Sequence, residues 1–341
     1  MVASGASDLH LQAGEPPYMR RSGRLAPVGS GPIASEMLGA SLDEFLGSTQ
    51  REVLDRHGEC ETMVDQGPLG RFRVSIFRSQ GRVAVAIRAI PATVPALGQL
   101  GLPEAVQNLA DEASGLVLVT GPTGSGKSTT LAAMIDHINR TRSTHIITIE
   151  DPIEYQHHNQ RSLVAQRQVG RDTRTFAAAL NAALRQDPDV IMLGELRDLE
   201  TIQIAITAAE TGHLVLSTLH SSNAPSTVHR VIDVFPSEQQ SQVRVQLAGV
   251  LQGVVCQQLV PGIDGTVRHP ATEVLIATTA ARSLIRESKA HQLPSVMEAG
   301  GAEGMHTLAA SLERLVDQGL ISPEEAFGRT VGGNRRTGRR P

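Results

Sequence analysis

The chain has 341 residues, which is long enough for two domains with separate hydrophobic cores, and 40% of its residues are apolar, as in ordinary globular proteins. Its formal net charge is −4, and it contains two tyrosines, six phenylalanines and no tryptophan, which argues against a protein that coats nucleic acid. Only two cysteines are present, Cys60 and Cys256, so the sequence excludes a disulfide framework and a cysteine zinc site.

No run of apolar residues reaches the roughly 18 that a membrane-spanning helix needs. Residues 1–17 also lack the apolar core of a signal peptide. We therefore expect a cytoplasmic protein.

The first part of the chain, residues 1–90, predicts a small α+β domain. A short strand is expected at residues 9–11, and residues 38–57 carry the apolar spacing of a helix. Two alternating runs follow, at residues 70–77 and 82–90, and the short polar segment between them indicates an antiparallel hairpin. The apolar positions that support the helix are Leu42, Phe45, Leu46, Val53 and Leu54.

Two arginines, Arg71 and Arg73, project from the polar face of the first hairpin strand. They have two interpretations. Either they solvate an exposed strand face, or they contact a phosphate held by a neighbouring subunit.

Prolines in residues 91–103 predict a stiff linker. Beyond it, in residues 104–331, strands alternate with helical stretches, which predicts an α/β fold with a mainly parallel sheet covered on both faces. Ligands of such sheets bind at the carboxyl ends of the strands. The predicted strands are residues 116–120, 145–149, 190–193 and 214–219, and the predicted helices are residues 127–139, 175–185 and 199–209.

A glycine-rich turn follows the first of these strands and opens a helix, which is the context in which the pattern G-x-x-x-x-G-K-[ST] forms a phosphate cradle, the P-loop. Lys127 would contact the β and γ phosphates of ATP, and the Ser128 hydroxyl would be a ligand of Mg²⁺. Lys127 is one of only two lysines in the chain, beside 29 arginines, which indicates a need for a compact ammonium here. The expected cradle consists of Gly121, Pro122, Thr123, Gly124, Ser125, Gly126, Lys127, Ser128 and Thr129.

Three other strand ends carry polar groups. Residues 150–154 hold three carboxylates, of which one could orient and deprotonate a water for attack on the γ-phosphate. Glu195 follows the next strand, where an acid would hold Mg²⁺ directly or through water. His213 and His220 bracket a third strand, and we expect both at the γ-phosphate rim, although a histidine at a strand end is often a structural hydrogen bonder.

The rest of the chain predicts helices at residues 239–258, 280–287, 307–318 and 323–329. Residues 332–341 contain four arginines and no apolar anchor, so we expect a disordered basic tail.

Four segments together resemble the secretion and type IV pilus ATPases of the PilT subfamily. Residues 149–155, Ile-Glu-Asp-Pro-Ile-Glu-Tyr, are similar to the aspartate box of that family, which residues 166–170 continue. Residues 184–198 are similar to its Walker B segment, and residues 211–220 to its histidine box. The P-loop is shared with many unrelated NTPases, whereas the order of these boxes is specific.

The resemblance implies a PAS-like amino-terminal domain, a RecA-like motor domain and a hexamer with nucleotide at the subunit boundaries. It assigns the catalytic carboxylate to Glu154, the Walker B acid to Glu195 and the histidine-box roles to His213 and His220. It also favours contact of Arg71 and Arg73 with the phosphates of a neighbouring subunit.

The implied function is hydrolysis of ATP to ADP and phosphate to power type IV pilus retraction, and with it twitching motility. The implied partners are further copies of the chain, a pilus platform protein at the cytoplasmic face of the inner membrane, and a paralogous pilus ATPase. The chain would be peripherally associated with that membrane machine, and no nucleic acid partner is expected.

Within the family, residues 280–287, Ala-Ala-Arg-Ser-Leu-Ile-Arg-Glu, are similar to the retraction signature, with Ala281 and Ser283 in place of the usual Ile and Asn. Assembly and secretion motors of the PilB and GspE type carry an extra domain and a four-cysteine zinc motif, which this sequence lacks. The alternatives left open are such a motor, a PilU-like accessory ATPase, a slow regulatory ATP-binding subunit and a RecA-like nucleic-acid translocase.

Overall fold

The structure is a computed structural model, and it describes residues 1–21, 24–29, 31–90, 93–265 and 267–330. The chain divides into two compact units, Met1–Thr93 and Val94–Pro341. Two positions of the predicted linker, Pro91 and Ala92, lie outside the described residues, as does the predicted tail at 332–341.

The first unit is a six-stranded antiparallel sheet with strand order β3-β2-β1-β6-β5-β4 and two helices. Its core contains Leu38 and Leu42 of α1, together with Val74 and Ile76 of β5. Val74 and Ile76 lie on the same face because alternate side chains of a strand point to the same side. Its elements are β1 Asp8–Gln12, β2 Tyr18–Arg21, β3 Arg24–Pro27, α1 Ser35–Phe45, α2 Ser48–His57, β4 Glu59–Asp65, β5 Arg71–Ser79 and β6 Arg82–Ile90.

The predicted hairpin is confirmed, since β5 and β6 pair from Arg71 with Ile90 to Ser79 with Arg82. The single helix expected over residues 38–57 is wrong, because the chain extends at Leu46 and Gly47 and starts a second helix. Val53 is 39% exposed and does not contribute to the core as expected. Strands β2, β3 and β4 were not predicted.

The second unit contains a seven-stranded sheet with strand order β13-β12-β7-β11-β10-β8-β9, parallel except for the β12–β13 pair. Its strands are β7 Gly115–Thr120, β8 His145–Glu150, β9 Leu163–Gln168, β10 Val190–Leu193, β11 Leu214–Leu219, β12 Leu251–Pro261 and β13 Arg268–Ile276. Its helices are α3 Glu104–Ala110, α4 Lys127–Thr141, α5 Phe176–Ala183, α6 Leu199–Glu210, α7 Ala224–Asp233, α8 Gln240–Val250, α9 Thr279–Arg286, α10 Leu293–Ala299, α11 Leu308–Asp317 and α12 Pro323–Thr330.

The predicted α/β architecture is confirmed. Strand β7 is buried along its whole length, with Leu116 and Leu118 in one hydrophobic cluster and Val117 and Val119 in another. A strand covered on both faces reads as a continuous apolar run, which is why the central strands were visible in the sequence.

The helix predicted over residues 239–258 is wrong beyond Val250. Helix α8 ends there and β12 begins at Leu251, pairing with β7 on one side and β13 on the other. The edge strands β9 and β13 were also not predicted. None of the helices in the described part of the chain is both long and apolar enough to cross a membrane.

Candidate active site

The P-loop joins the carboxyl end of β7 to the first turn of α4. Lys127, the first residue of α4, is buried, and its ammonium donates hydrogen bonds to the carbonyl oxygens of Gly121 (2.8 Å) and Pro122 (2.9 Å). The ammonium therefore lies inside the concavity of the loop. Exposed positions of the motif are Pro122, Thr123, Gly124 and Ser128, while Gly121 and Ser125 are buried and Gly126 and Thr129 are partly buried.

Strand β12 supports the loop from beneath. The Thr130 hydroxyl donates to Oε1 of Gln257 (2.8 Å), and the backbone carbonyl oxygen of Gln257 lies so close to Gly121 that an added Cβ would meet it at 2.2 Å. Gly121 has φ of 142°, a region that favours glycine. The buried Ser125 hydroxyl has no hydrogen-bond partner among the described residues.

Two carboxylates act on Lys127. Burial lowers the pKa of its ammonium, and the negative charges of Glu195 and Glu154 oppose that shift. Glu195 and Glu154 therefore both lie within electrostatic range of the Lys127 ammonium.

Glu195 lies between two cationic or titratable partners. It follows β10, its side chain is 16% exposed, and it pairs with the guanidinium of Arg197. The Nε2 atom of His220, which follows β11, is 3.6 Å from Oε2 of Glu195. Burial, and next the charge of Lys127, lower the pKa of His220, so its imidazole is neutral near pH 7.

The two glutamates of the aspartate box differ in their surroundings. Glu150 is buried, and its Oε1 accepts hydrogen bonds from the Thr148 hydroxyl (2.7 Å) and the Gln166 amide (3.1 Å). Burial raises the pKa of Glu150. Glu154 is only partly buried and its charge acts on Lys127, so it is the carboxylate better placed for chemistry at the P-loop.

A hydrogen bond joins the aspartate box, residues 149–155, to the P-loop helix α4. The Tyr155 hydroxyl and the Thr129 hydroxyl share a hydrogen bond of 2.9 Å, and the Gln166 amide also donates to the Tyr155 carbonyl oxygen (2.8 Å). Gln166 therefore positions both Glu150 and Tyr155.

The expectation that both histidines lie at the phosphate rim is wrong for His213. This residue precedes β11, its carbonyl oxygen accepts from the N–H of Gly115 at the start of β7, and its Nδ1 donates to the Ala208 carbonyl oxygen (2.9 Å). Strands β7 and β11 are parallel, so His213 lies about 17 Å from the P-loop edge, at the amino end of the strands.

Arg71 and Arg73 belong to the first unit. Arg73 donates to Oε2 of Glu61 on the neighbouring strand (2.8 Å), in an ion pair open to solvent. Arg71 has a buried Nη1 with no hydrogen-bond acceptor among the described residues.

Sequence reasoning missed Gln257, Tyr155 and Arg197 as contributors to the site. The valine-rich run before Gln257 is a strand signal that could have placed it on β12. Its amide contact with Thr130 depends on the pairing of β12 with β7, which no local pattern encodes.

Comparison with known proteins agrees with this geometry. The family model described as type II/IV secretion system protein matches residues 58–322. The type IV pilus retraction ATPase PilT of Pseudomonas aeruginosa is 47% identical, with 94% of this chain and 93% of that protein covered. The type IV pilus ATPase PilU of the same organism is 43% identical, covering 96% and 86%.

A solved structure, the crystal structure of the pilus retraction motor PilT with bound ADP, superposes with a TM-score of 0.89 at 46% identity and covers 96% of this chain and 94% of that one. The family match over most of the sequence and the P-loop geometry lead to one conclusion. The chain belongs to the type II/IV secretion system protein family and is one of its PilT-like, ATP-hydrolysing enzymes.

Proposed function

We propose that this chain hydrolyses ATP to ADP and phosphate to power the retraction of a type IV pilus. The observation that carries the proposal is the ammonium of Lys127 bonded inside the P-loop, with the charges of Glu195 and Glu154 acting on it and His220 beside Glu195. Such a cluster supplies what phosphoryl transfer needs, namely a phosphate cradle, a carboxylate for the attacking water and an acid for a metal ion. The similarity to PilT supports retraction as the use of that energy.

Each residue then has a role in handling ATP. Lys127 and the loop N–H groups would hold the phosphates, and Glu154 would orient and deprotonate the attacking water. His220 would hold Glu195 from the side opposite Arg197. His213, at the other end of β11, would act in the histidine box by anchoring that strand to β7.

Magnesium fits the donor atoms present. Ser128 offers an exposed hydroxyl and Glu195 a carboxylate, and oxygen donors are the ligands that Mg²⁺ prefers. The described residues contain no group of three or more His, Cys, Asp or Glu side chains that could hold a metal ion. This agrees with Mg²⁺ bound by one or two protein groups together with substrate phosphates, whose charge it would neutralise.

The working form in this proposal is a homo-hexamer. It would act at the cytoplasmic face of the inner membrane on a pilus platform protein, with peripheral attachment. In this proposal Arg71 and Arg73, both on β5, are the arginines that would contact the phosphates of a neighbouring subunit.

A second candidate function is that of an accessory pilus ATPase, which works beside another retraction motor. The identity to PilU, 43% over 96% of this chain, favours it. The two functions share all the catalytic groups named above.

The test of ATP hydrolysis uses the only two lysines of the chain. Lys127→Ala removes the ammonium of the cradle, so nucleotide binding and hydrolysis should both be lost in the purified protein. The control is Lys289→Ala, which removes an exposed lysine that pairs with Glu287 and should change neither. Near-normal binding of an ATP analogue by Lys127→Ala would contradict the P-loop assignment.

Retraction is tested in bacteria. The chain is expressed in strains that lack their retraction ATPase alone, or that ATPase and its paralogue together. Restored twitching motility in both strains supports a retraction motor. Restoration that requires the paralogue supports the accessory function, and ATPase activity without any restoration contradicts both.

A further inference from the structure

A buried carboxylate lies two strands from the P-loop strand β7 in the same sheet, and it has none of the roles described so far. Glu273, on β13, is 8% exposed. It accepts a hydrogen bond of 2.7 Å from the N–H of Ala224, the first residue of α7. Burial raises the pKa of Glu273, and the N–H groups of Ala224 and of Leu308, the first residue of α11, oppose that shift. Two helices thus begin beside one carboxylate.

The same carboxylate is linked to the P-loop strand. Cys256 is paired opposite Glu273 on β12, and its thiol is close enough to the carboxylate to affect the pKa of Glu273. The sulfur of Cys256 in turn accepts from the hydroxyl of Thr120 (3.0 Å), the residue directly before the P-loop. A continuous series of side-chain contacts therefore joins Thr120, Cys256 and Glu273.

On its other side, Glu273 holds the segment that follows His220. Ser221 shares a hydrogen bond of 2.7 Å with Thr227 of α7, and Asn223 caps that helix by accepting from the N–H of Ser226 (2.8 Å). Ser221 and Asn223 are thus bonded to the start of α7, and Arg230 of the same helix donates to the carbonyl oxygen of His220 (2.8 Å). The place of α7 relative to the sheet is set where Ala224 donates to Glu273.

We propose that Glu273 is a positioning residue of the ATPase site, which fixes the start of α7, and with it His220, relative to the strand that carries the P-loop. The proposal rests on the proposed role of His220 beside Glu195. It predicts that Glu273 affects the chemical step through His220 and leaves the phosphate cradle itself intact.

The partners of Glu273 explain why a carboxylate is needed. The groups that face it are donors, two backbone N–H groups and one thiol. A glutamine in its place has one acceptor oxygen and an amide that must face a donor, so at least one contact is lost. An unsatisfied buried group shifts the segment that carries it.

The experiment compares Glu273→Gln, His220→Ala and the double variant, with Glu287→Gln as a control that changes an exposed carboxylate on the surface. Steady-state kcat and KM for ATP are measured, together with the dissociation constant of a non-hydrolysable ATP analogue. Glu273→Gln should lower kcat roughly 10- to 100-fold, the size expected for a small misplacement of a catalytic group, with analogue binding unchanged. In the His220→Ala background, Glu273→Gln should cause no further fall.

Four results would overturn the proposal, and three of them concern turnover. These three are an unchanged kcat in Glu273→Gln, a full additional fall in the double variant, and an unchanged kcat in His220→Ala. The last also removes the proposed role of His220, whereas the lysine variants test ATP hydrolysis independently. Weakened analogue binding in Glu273→Gln would likewise contradict it, because the carboxylate would then support the whole cradle.

A second pair of variants keeps the test decisive if Glu273→Gln does not fold. Cys256→Ala cuts the path between Thr120 and Glu273, and Cys256→Ser replaces the thiol with a hydroxyl that can both donate and accept. We expect Cys256→Ala to lower kcat without changing analogue binding, and Cys256→Ser to retain most of the activity. Equal activity of the two variants would contradict the path.

Discussion

Glu150 and Glu154 lie four residues apart, and their environments predict different consequences for catalysis. Glu154→Gln keeps the size of the side chain and loses the base, so hydrolysis should fall by roughly 10² to 10⁴-fold while ATP still binds. Glu150→Gln should retain more activity, because that carboxylate is occupied by Thr148 and Gln166. Steady-state ATPase rates and binding of an ATP analogue check both. Persistent turnover in Glu154→Gln with loss in Glu150→Gln would assign the base to Glu150.

The sequence indicated where most of the candidate site residues lie relative to the strands, because motif spacing determines their positions. Lys127 and Ser128 follow from the glycine pattern, and Glu195 and His220 follow from their places after β10 and β11. His213 was misplaced since it precedes its strand, and only the carboxyl ends of parallel strands meet the P-loop. Strand direction was the information that decided between the two histidines.

Among the helices and strands, β12 comes close to the backbone of the P-loop at Gly121. An alanine at position 121 would place its Cβ 2.2 Å from the carbonyl oxygen of Gln257, which is backbone and cannot rotate away. An alanine at position 124 meets nothing within 4 Å and adopts only an unfavourable φ of 79°, at a cost of about 1–2 kcal/mol. Gly121→Ala should therefore lower the free energy of unfolding more than Gly124→Ala, in urea without nucleotide. Equal losses would contradict the close approach.

The segment between β8 and β9 carries a pH-dependent contribution to stability. Burial lowers the pKa of His157 from 6.5 to about 4, against the opposing charge of Asp136 and in line with that of His158. Between pH 4 and pH 6.5 the imidazole is therefore protonated in the unfolded chain and neutral in the folded chain. The contribution of His157 to the free energy of unfolding is complete above pH 6.5 and decreases as the pH drops towards 4. The loss from this residue is about 3 kcal/mol.

His157→Gln tests this contribution. The difference in unfolding free energy between pH 7 and pH 4 should shrink by that amount relative to the parent protein. His158→Gln, which changes the exposed neighbour, is the control. An unchanged pH dependence in His157→Gln would show that the buried imidazole does not contribute.

Short apolar runs bounded by turns were predictable as strands, whereas the edge strands β9 and β13 and the interior strand β12 were not. β7 and β11 read as apolar runs because helices cover both of their faces. The sequence predicts one helix across α8 and β12, because Val243, Leu247 and Val250 have helical spacing and the apolar pattern continues beyond them. The extended form prevails after Val250 because β12 gains hydrogen-bonded partners on both sides, β7 and β13.

For the chain as a whole, we expect catalysis to be shared between subunits. An arginine supplied by a neighbour neutralises charge on the transferred phosphoryl group, an effect of about 10³ to 10⁵ in rate in other NTPases. Mixing Glu154→Gln subunits with Arg71→Ala/Arg73→Ala subunits should then restore part of the activity that each lacks alone. Glu61→Gln, which removes the ion pair of Arg73 but keeps the arginine, is the matched control and should remain active. Specific activity that stays constant on dilution to monomers would contradict a shared site.

The interior place of β7 in its sheet also determines when the enzyme becomes competent during synthesis. The partners of β7 come later in the chain, and Thr120 bonds to a residue 136 positions ahead of it. At about 5–20 residues per second, the ribosome needs on the order of ten seconds to supply that distance. Until then the nascent chain presents the glycine-rich turn with an unpaired strand edge, so ATP binding is among the last properties that folding confers on it.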